Sequence, residues 1–155
     1  ITRFDFDAAI IFCDILIVPH ALGQTVKFIE GHGPCLEKVD WKTFLEVSQK
    51  KSILPFLEPV FRSISLTRQA LPSNKALIGF CGSPWTIACY MMQCGKVSSG
   101  FSNFNPDLTR SLIQTLNPHL IDFLLGQIRS GCDAIQIFDS WASLAPPQSQ
   151  QEFLW

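Results

Sequence analysis

A carboxylate inside a strongly apolar segment is the first feature of this sequence that could do chemistry. Asp14 follows Ile10-Ile11-Phe12-Cys13 and precedes Ile15-Leu16-Ile17-Val18. Burying an ionised carboxyl is costly unless another group compensates for the charge. Asp14 is therefore a candidate binding or catalytic residue. A structural aspartate, which caps a backbone amide or pairs with an arginine, is equally compatible with the sequence.

A second candidate region is the segment Gly79–Thr86 and the helix predicted after it. Gly82-Ser83-Pro84 has the form of a tight turn, a helix cap and a proline in the first helical position. Two glycines there would let a ligand approach the backbone, although an ordinary strand-to-helix connection explains them better. Tyr90 is the one tyrosine in a chain with 13 phenylalanines, so its hydroxyl is a candidate for contact with a ligand. A structural tyrosine bonded to a backbone carbonyl is the alternative.

A third polar segment, Asp139-Ser140-Trp141, follows another apolar run. A salt bridge from Asp139 or a turn capped by Ser140 would explain it without a ligand. The three histidines show no metal-binding spacing, so we interpret them as structural or solvated. They are His20, His32 and His119.

The elements that would position these residues alternate along the chain. Apolar runs at Ala8–Phe12, Ala76–Phe80 and Ala134–Phe138 predict strands that are buried on both faces, as in parallel sheets. Helical periodicity fills the segments between them, and Asn105-Pro106 marks one helix start. This alternation favours an α/β fold, in which functional residues follow the carboxyl ends of strands.

Two further patterns refine this architecture. The turn-rich segment from Thr25 to Pro34 predicts a small hairpin after the first strand. Asn117-Pro118 predicts either a kink or a second start in the long helix that Gly131 ends. The strands begin about 60–70 residues apart, and three such units cannot close a barrel of eight.

Composition excludes several classes of protein. The chain has 155 residues, of which 47% are hydrophobic and 16% charged, and a net charge of −1, so neither a basic nucleic-acid tail nor an acidic disordered tail is present. No apolar run is long enough to span a bilayer, and no signal peptide stands at the start. Six cysteines without a CxxC pair indicate reduced thiols. Both ends look cut, which suggests part of a longer chain.

Four motifs, in order and in register, resemble segments of the uroporphyrinogen decarboxylase family. They are DAAIIFCDIL at 7–16, EGHGP at 30–34, IGFCGSPWT at 78–86 and QIFDSWA at 136–142. The resemblance covers nearly the whole chain but only the middle of the family's longer sequence. Small differences from the family's motifs occur at Cys13, Ser83 and Ser143, where Ser, Ala and Gly are usual.

The resemblance implies a (β/α)8 TIM barrel, of which residues 1–155 would be an internal fragment with three of the eight strands. It implies a carboxy-lyase of haem and chlorophyll biosynthesis, a cytoplasmic homodimer that uses no metal or organic cofactor. Its substrate would be uroporphyrinogen III, whose four acetate side chains lose carbon dioxide to give coproporphyrinogen III. Asp14 matches the family's substrate-binding and catalytic aspartate. Tyr90, Ser140 and Phe80 match positions that contact substrate or line the cleft.

The residue types suit that chemistry. Protonation of a pyrrole ring on carbon creates a cation that can accept the electrons released with carbon dioxide. An ionised Asp accepts hydrogen bonds at about four lone-pair sites, so Asp14 could hold the pyrrole N–H groups and stabilise the cation. The substrate's eight carboxylates need arginines, and the five here fall mostly on helical segments. The family's arginine motif would precede Ile1, and its histidine motif would follow Trp155.

Two other functions stay open at this stage. Corrinoid-linked methyltransferases have a related barrel and bind zinc through an HxC motif, which would lie beyond this segment. A truncated product without activity is the second alternative. Coding sequence on either side would distinguish these possibilities.

Overall fold

The computed structural model describes residues 3–30, 33–93, 105–147 and 150–154. Its strands are β1 (Ala8–Ile10), β2 (Val26–Ile29), β3 (Gly33–Leu36), β4 (Ala76–Gly82) and β5 (Ala134–Phe138). Its helices are α1 (Ile17–Leu22), α2 (Trp41–Ser48), α3 (Leu54–Ala70), α4 (Pro84–Gln93), α5 (Pro106–Arg129) and α6 (Gln150–Phe153), and a 3-10 turn spans Ala142–Leu144.

The three predicted strands form one parallel sheet in the order β1-β4-β5. Ala8 pairs with Ala76, and Ile78 in turn pairs with Ala134. Helices α3 and α5 contact each other and, with α1 and α4, connect the strands in an alternating βα order. The α/β fold with a parallel sheet is therefore confirmed, and the carboxyl ends of the three strands lie at one edge.

The two faces of the sheet have different environments. On one face, Leu77 of β4 packs with Ile64 of α3 and with Cys132, and all three are buried. The opposite face carries Ile10 and Phe138, which are 55% and 42% exposed. The prediction that all three strands are buried on both faces was therefore wrong for the described residues. Helices cover one face except at Ile137 of the edge strand β5, which is 51% exposed. A mostly apolar run does not reveal which face lacks a cover.

Strand β1 is shorter than predicted, because its pairing with β4 stops at Ile78. The Ile11 N–H donates to the Ile78 carbonyl over 3.0 Å, so the backbone groups of Ile78 point toward β1. Backbone groups alternate in direction along a strand, and the next ones that point toward β1 belong to Phe80. They bond to Gln127 of α5 instead. Its amide accepts from the Phe80 N–H and donates to the Phe80 carbonyl, each over 3.0 Å. The chain after β1 is thus released from the sheet to form the loop that holds Asp14.

The predicted signals at the ends of α5 function as expected. The Asn105 side chain accepts from the Leu108 N–H, and Pro106 occupies the first helical position. The helix continues through Pro118, so the predicted interruption is not a second start. Gly131 adopts a φ of +115°, in the left-handed region that terminates helices.

The predicted hairpin after β1 is also present. Strands β2 and β3 pair antiparallel, from Val26 opposite Leu36 to Ile29 opposite Gly33. Gln24, which precedes the hairpin, is fully buried and donates to the carbonyls of Glu37 and Met91. This side chain ties the base of the hairpin to α4. Among the described residues, no helix is long and apolar enough to cross a bilayer.

Candidate active site at the carboxyl edge of the sheet

Asp14 lies in the loop that follows β1, at the carboxyl edge of the sheet. Its side chain is half-buried, and Oδ1 accepts from the Leu16 N–H over 2.8 Å. No donor within the described parts of the chain bonds to its second carboxylate oxygen. The neighbouring residue Ile15 packs beside Gly82 at the end of β4. Asp14 therefore has one structural hydrogen bond and a second oxygen that can accept from a ligand.

The start of α4 is joined to the segment after β5 by hydrogen bonds around Asp139. Its Oδ1 accepts from the hydroxyl groups of Ser83 and Thr86, over 2.5 and 2.6 Å. The Ser83 hydroxyl also accepts from the Thr86 N–H, which makes Ser83 the predicted cap of α4. Backbone pairing adds to this, because the Ser83 N–H donates to the Phe138 carbonyl. The ends of β4 and β5 are thus locked together.

Tyr90 stands in α4 with its ring stacked on the indole of Trp141. The ring centroids are 4.2 Å apart and the planes are inclined by 21°. Tyr90 is half-buried, and within the described residues no group hydrogen-bonds to its hydroxyl. The structural alternative, a tyrosine bonded to a backbone carbonyl, is thus absent from that part of the chain. The structure brings Tyr90 and the segment after β5 into direct contact.

Ser140 lies between Asp139 and Trp141 in an exposed turn. Its two neighbours are both tied to α4, since the Trp141 N–H donates to the Thr86 hydroxyl and the Trp141 carbonyl accepts from the indole N–H of Trp85. The backbone of Ser140 is therefore anchored on both sides while its side chain remains accessible.

Phe80 belongs to a row of aromatic rings on the uncovered face of the sheet. Its ring lies 6.3 Å from that of Phe12 and 5.4 Å from that of Phe138, centroid to centroid. Phe12 is 85% exposed, whereas Phe80 is buried. Each ring comes from the end of a different strand or the loop after it. Phe12 and Phe138 thus form an exposed apolar surface on either side of the buried Phe80 ring.

Sequence reasoning missed three contributors to this region. The sequence places Thr86 and Trp141 in candidate segments and Phe12 at the end of a predicted strand, but it assigns none of them a role. Asp139 was considered as a salt-bridging residue, but its partners are hydroxyl groups. Two hydroxyl residues three positions apart at the start of α4 were the available signal, since that spacing places both on one side of the first helical turn.

The two glycines of β4 serve packing. A side chain at Gly79 would meet Gln127 and Cys132, and one at Gly82 would meet Ile87 and Ile15. These positions accommodate neighbouring side chains, which agrees with the interpretation as a strand-to-helix connection.

The histidines and cysteines of the described residues have structural environments. His119 is buried, with Nε2 3.0 Å from the Ser48 carbonyl, and His20 packs edge-on against Phe56. His32 and Cys94 lie outside the described residues. Cys13, Cys35, Cys81, Cys89 and Cys132 are free thiols. Burial raises the pKa of Cys81 to about 12, and no group of three or more potential metal ligands occurs in the described parts of the chain.

Comparison with known proteins identifies relatives of this arrangement. The family model described as uroporphyrinogen decarboxylase (URO-D) matches residues 1–155. The uroporphyrinogen decarboxylase of Acidiphilium cryptum is 43% identical over 95% of this chain and 42% of its own length. That of Rickettsia bellii is 42% identical over 99% of this chain and 46% of its own length. The chain therefore spans less than half the length of these curated relatives.

A solved structure shares the fold. A methyltransferase from Methanosarcina mazei superposes with a TM-score of 0.67 over 96% of this chain and 45% of its own, at 19% sequence identity. At that identity the likeness concerns the fold alone.

Proposed function

Because the chain belongs to the uroporphyrinogen decarboxylase family, we propose that the protein carrying it converts uroporphyrinogen III to coproporphyrinogen III by decarboxylating its four acetate side chains. The observation that carries this proposal is the match over residues 1–155 combined with Asp14 at the carboxyl edge of a parallel sheet, next to an accessible aromatic row. In parallel α/β folds this edge is where ligands bind.

We propose further that residues 1–155 are the middle of one (β/α)8 barrel and supply three of its eight strands. Two features support this arrangement. The curated relatives are more than twice as long as this chain. The face of the sheet that carries Ile10 and Phe12 is apolar yet exposed, as expected of the inner face of a barrel whose other strands are contributed elsewhere.

Asp14 is assigned the role of seating the macrocycle and stabilising the pyrrole cation. A porphyrinogen directs four N–H groups toward its centre, and the second oxygen of Asp14 has no other donor among the described residues. The apolar rings of Phe80 and its neighbours lower the local dielectric constant, which strengthens the attraction between a carboxylate and a developing positive charge. The protonated pyrrole accepts the electron pair of the breaking C–C bond, so carbon dioxide leaves without an organic cofactor.

Tyr90 and Ser140 are assigned to the rim of the substrate. Tyr90 stacks on Trp141 and Ser140 directly precedes it, so both residues lie at the segment that follows β5. A hydroxyl can donate to a substrate carboxylate. Phe80 packs against the face of the macrocycle. The remaining carboxylates require cations, and two of the described arginines are already paired. Arg68 is occupied at the opposite edge of the sheet by Asp133, and Arg110 pairs with Asp107 and Glu152. The complete enzyme is proposed to act as a cytoplasmic homodimer.

Asp14→Asn in the complete enzyme tests this function. The amide keeps the size and the hydrogen bond from Leu16 but removes the charge. Loss of one preorganised electrostatic group costs roughly 2–4 kcal/mol of transition-state stabilisation, so steady-state formation of coproporphyrinogen should fall by about 30- to 1,000-fold. The measurement is product separation by chromatography after oxidation to the porphyrins.

Asp122→Asn is the matched control, because Asp122 is an exposed residue of α5. It should retain the rate of the unmodified enzyme. Turnover by Asp14→Asn within threefold of that rate would remove Asp14 from the mechanism, and absence of any product from the unmodified enzyme would refute the proposed function.

A further inference from the structure

One threonine hydroxyl links the two segments that carry Tyr90 and Ser140. The Thr86 hydroxyl donates to Asp139 Oδ1 over 2.6 Å and accepts from the Trp141 N–H over 3.2 Å. Thr86 is fully buried whereas Asp139 and Trp141 are half-buried, so both hydrogen bonds are shielded from bulk water at the threonine end. The hydroxyl thus fixes the side chain of one residue and the backbone of another, on either side of Ser140.

The consequence of this linkage is the orientation of Trp141. Its backbone is held at the N–H by Thr86 and at the carbonyl by the indole N–H of Trp85 over 2.8 Å. With both groups held, the Trp141 indole lies flat against the ring of Tyr90. Stacked aromatic rings at this separation attract one another beyond the effect of buried area alone.

Tyr90 depends on this stack for its orientation. Within the described residues no hydrogen bond fixes its hydroxyl, so the ring is held by packing against Trp141 and against the main hydrophobic core. A tyrosine that must present its hydroxyl to a ligand needs its ring held in one rotamer before the ligand arrives. Trp141 provides that restraint, and Thr86 and Asp139 keep Trp141 in place.

We propose that Thr86 is a positioning residue for substrate binding, which acts through Asp139 and Trp141 to orient the hydroxyls of Tyr90 and Ser140 toward a substrate carboxylate. This inference rests on the proposed function. Ser83 reinforces the arrangement with a second hydrogen bond to Asp139, but it does not contact Trp141.

Thr86→Val is the informative substitution, since valine has nearly the same shape and lacks the hydroxyl. Asp139 is a poorer choice because removing its charge would also alter the attraction of an anionic substrate. In the complete enzyme, Thr86→Val should raise KM for uroporphyrinogen about tenfold and leave kcat within threefold. Thr86→Ser restores the hydroxyl and should return KM to within twofold of the original value.

Thr109→Val is the matched control for loss of a buried hydroxyl. Thr109 is also fully buried, and its hydroxyl donates to the carbonyl of Asn105, the cap of α5, with the Met92 sulfur 3.8 Å away. It bonds to neither Asp139 nor Trp141. Its KM should remain within twofold. An equal rise of KM in Thr109→Val would show a general structural effect and would overturn the proposal.

A second variant and a spectroscopic measurement keep the test decisive if Thr86→Val folds poorly. Trp141→Leu removes the stacked ring directly and should reproduce the tenfold rise in KM. The stack of Tyr90 on Trp141 should give a near-ultraviolet circular dichroism band, which is identified by its loss in Tyr90→Leu. That band should also disappear in Thr86→Val and persist in Thr86→Ser. An unchanged KM in Trp141→Leu, or an unchanged band in Thr86→Val, would overturn the positioning role. An unmodified enzyme without turnover would refute the decarboxylase function. The circular dichroism band would then test, independently of activity, whether Thr86 holds Trp141 against Tyr90.

Discussion

Gln127→Met should destabilise the protein strongly, because the Gln127 side chain bonds to both the backbone N–H and the backbone carbonyl of Phe80. Methionine has a similar length and volume, so the substitution removes the amide without opening a large cavity. Gln127 is 1% exposed, and both of its hydrogen bonds lie in the buried interior. Water therefore cannot replace the lost partners.

The expected loss of stability follows from two backbone groups of Phe80 that would be left without a hydrogen-bonding partner. Each buried donor or acceptor left without a partner costs about 1–3 kcal/mol, so the Phe80 N–H and carbonyl together predict a loss of about 2–6 kcal/mol. Gln114→Met is the control on the same helix. Gln114 is exposed, and its substitution should change the free energy of unfolding by no more than about 0.5 kcal/mol.

Urea unfolding of the complete protein, followed by circular dichroism, measures the difference. A lower midpoint with an unchanged slope would show a change in stability alone. A loss below about 0.5 kcal/mol for Gln127→Met would refute the reasoning, since the Phe80 backbone would then have another partner in solution.

Three further outcomes are expected. Tyr90→Phe should leave the melting temperature unchanged and weaken substrate binding or turnover; wild-type kinetics would exclude a substrate contact by its hydroxyl. Residues 1–155 expressed alone should form no coproporphyrinogen and should associate through edge strands β1 and β5. A soluble monomer on size-exclusion chromatography that melts cooperatively on heating would contradict the barrel assignment. Burial and the nearby charge of Asp14 raise the pKa of Cys13 to about 11, so its alkylation rate should rise about tenfold per pH unit up to about pH 10, as followed by mass spectrometry; a plateau near pH 9 would contradict this.

Features encoded by neighbouring residues could be predicted from the sequence. Apolar runs located all three strands of the parallel sheet, and local signals located the ends of α5. Asn105 caps that helix with its own side chain, and Gly131 terminates it through a positive φ. The hairpin of β2 and β3 followed from turn-forming residues between two short strands.

Features that depend on distant pairs could not be predicted in the same way. Gln127 is a polar residue on an otherwise ordinary helix, and its partner Phe80 lies 47 positions earlier. Asp139 and Thr86 are 53 positions apart. Nothing in the local sequence of either pair specifies the other. The exposed side of the sheet was missed for a related reason, since strand β5 has four apolar residues around a single polar one, Gln136, and this composition does not show which face lacks a cover.

The order of strands in the sheet has a consequence for how the chain folds. On one side, β4 pairs with β1, and the paired residues Ala8 and Ala76 are 68 positions apart in the sequence. On the other side, β4 pairs with β5, and the paired residues Ile78 and Ala134 are 56 positions apart. Closing such long loops costs entropy before any pairing rewards it, so parallel sheets form slowly. The β2–β3 hairpin, with Ile29 opposite Gly33, has only three residues between its paired ends and can form within microseconds. During synthesis, the edge of β1 that pairs with β4 therefore stays open until β4 has emerged, and an open strand edge of this kind can pair with another chain.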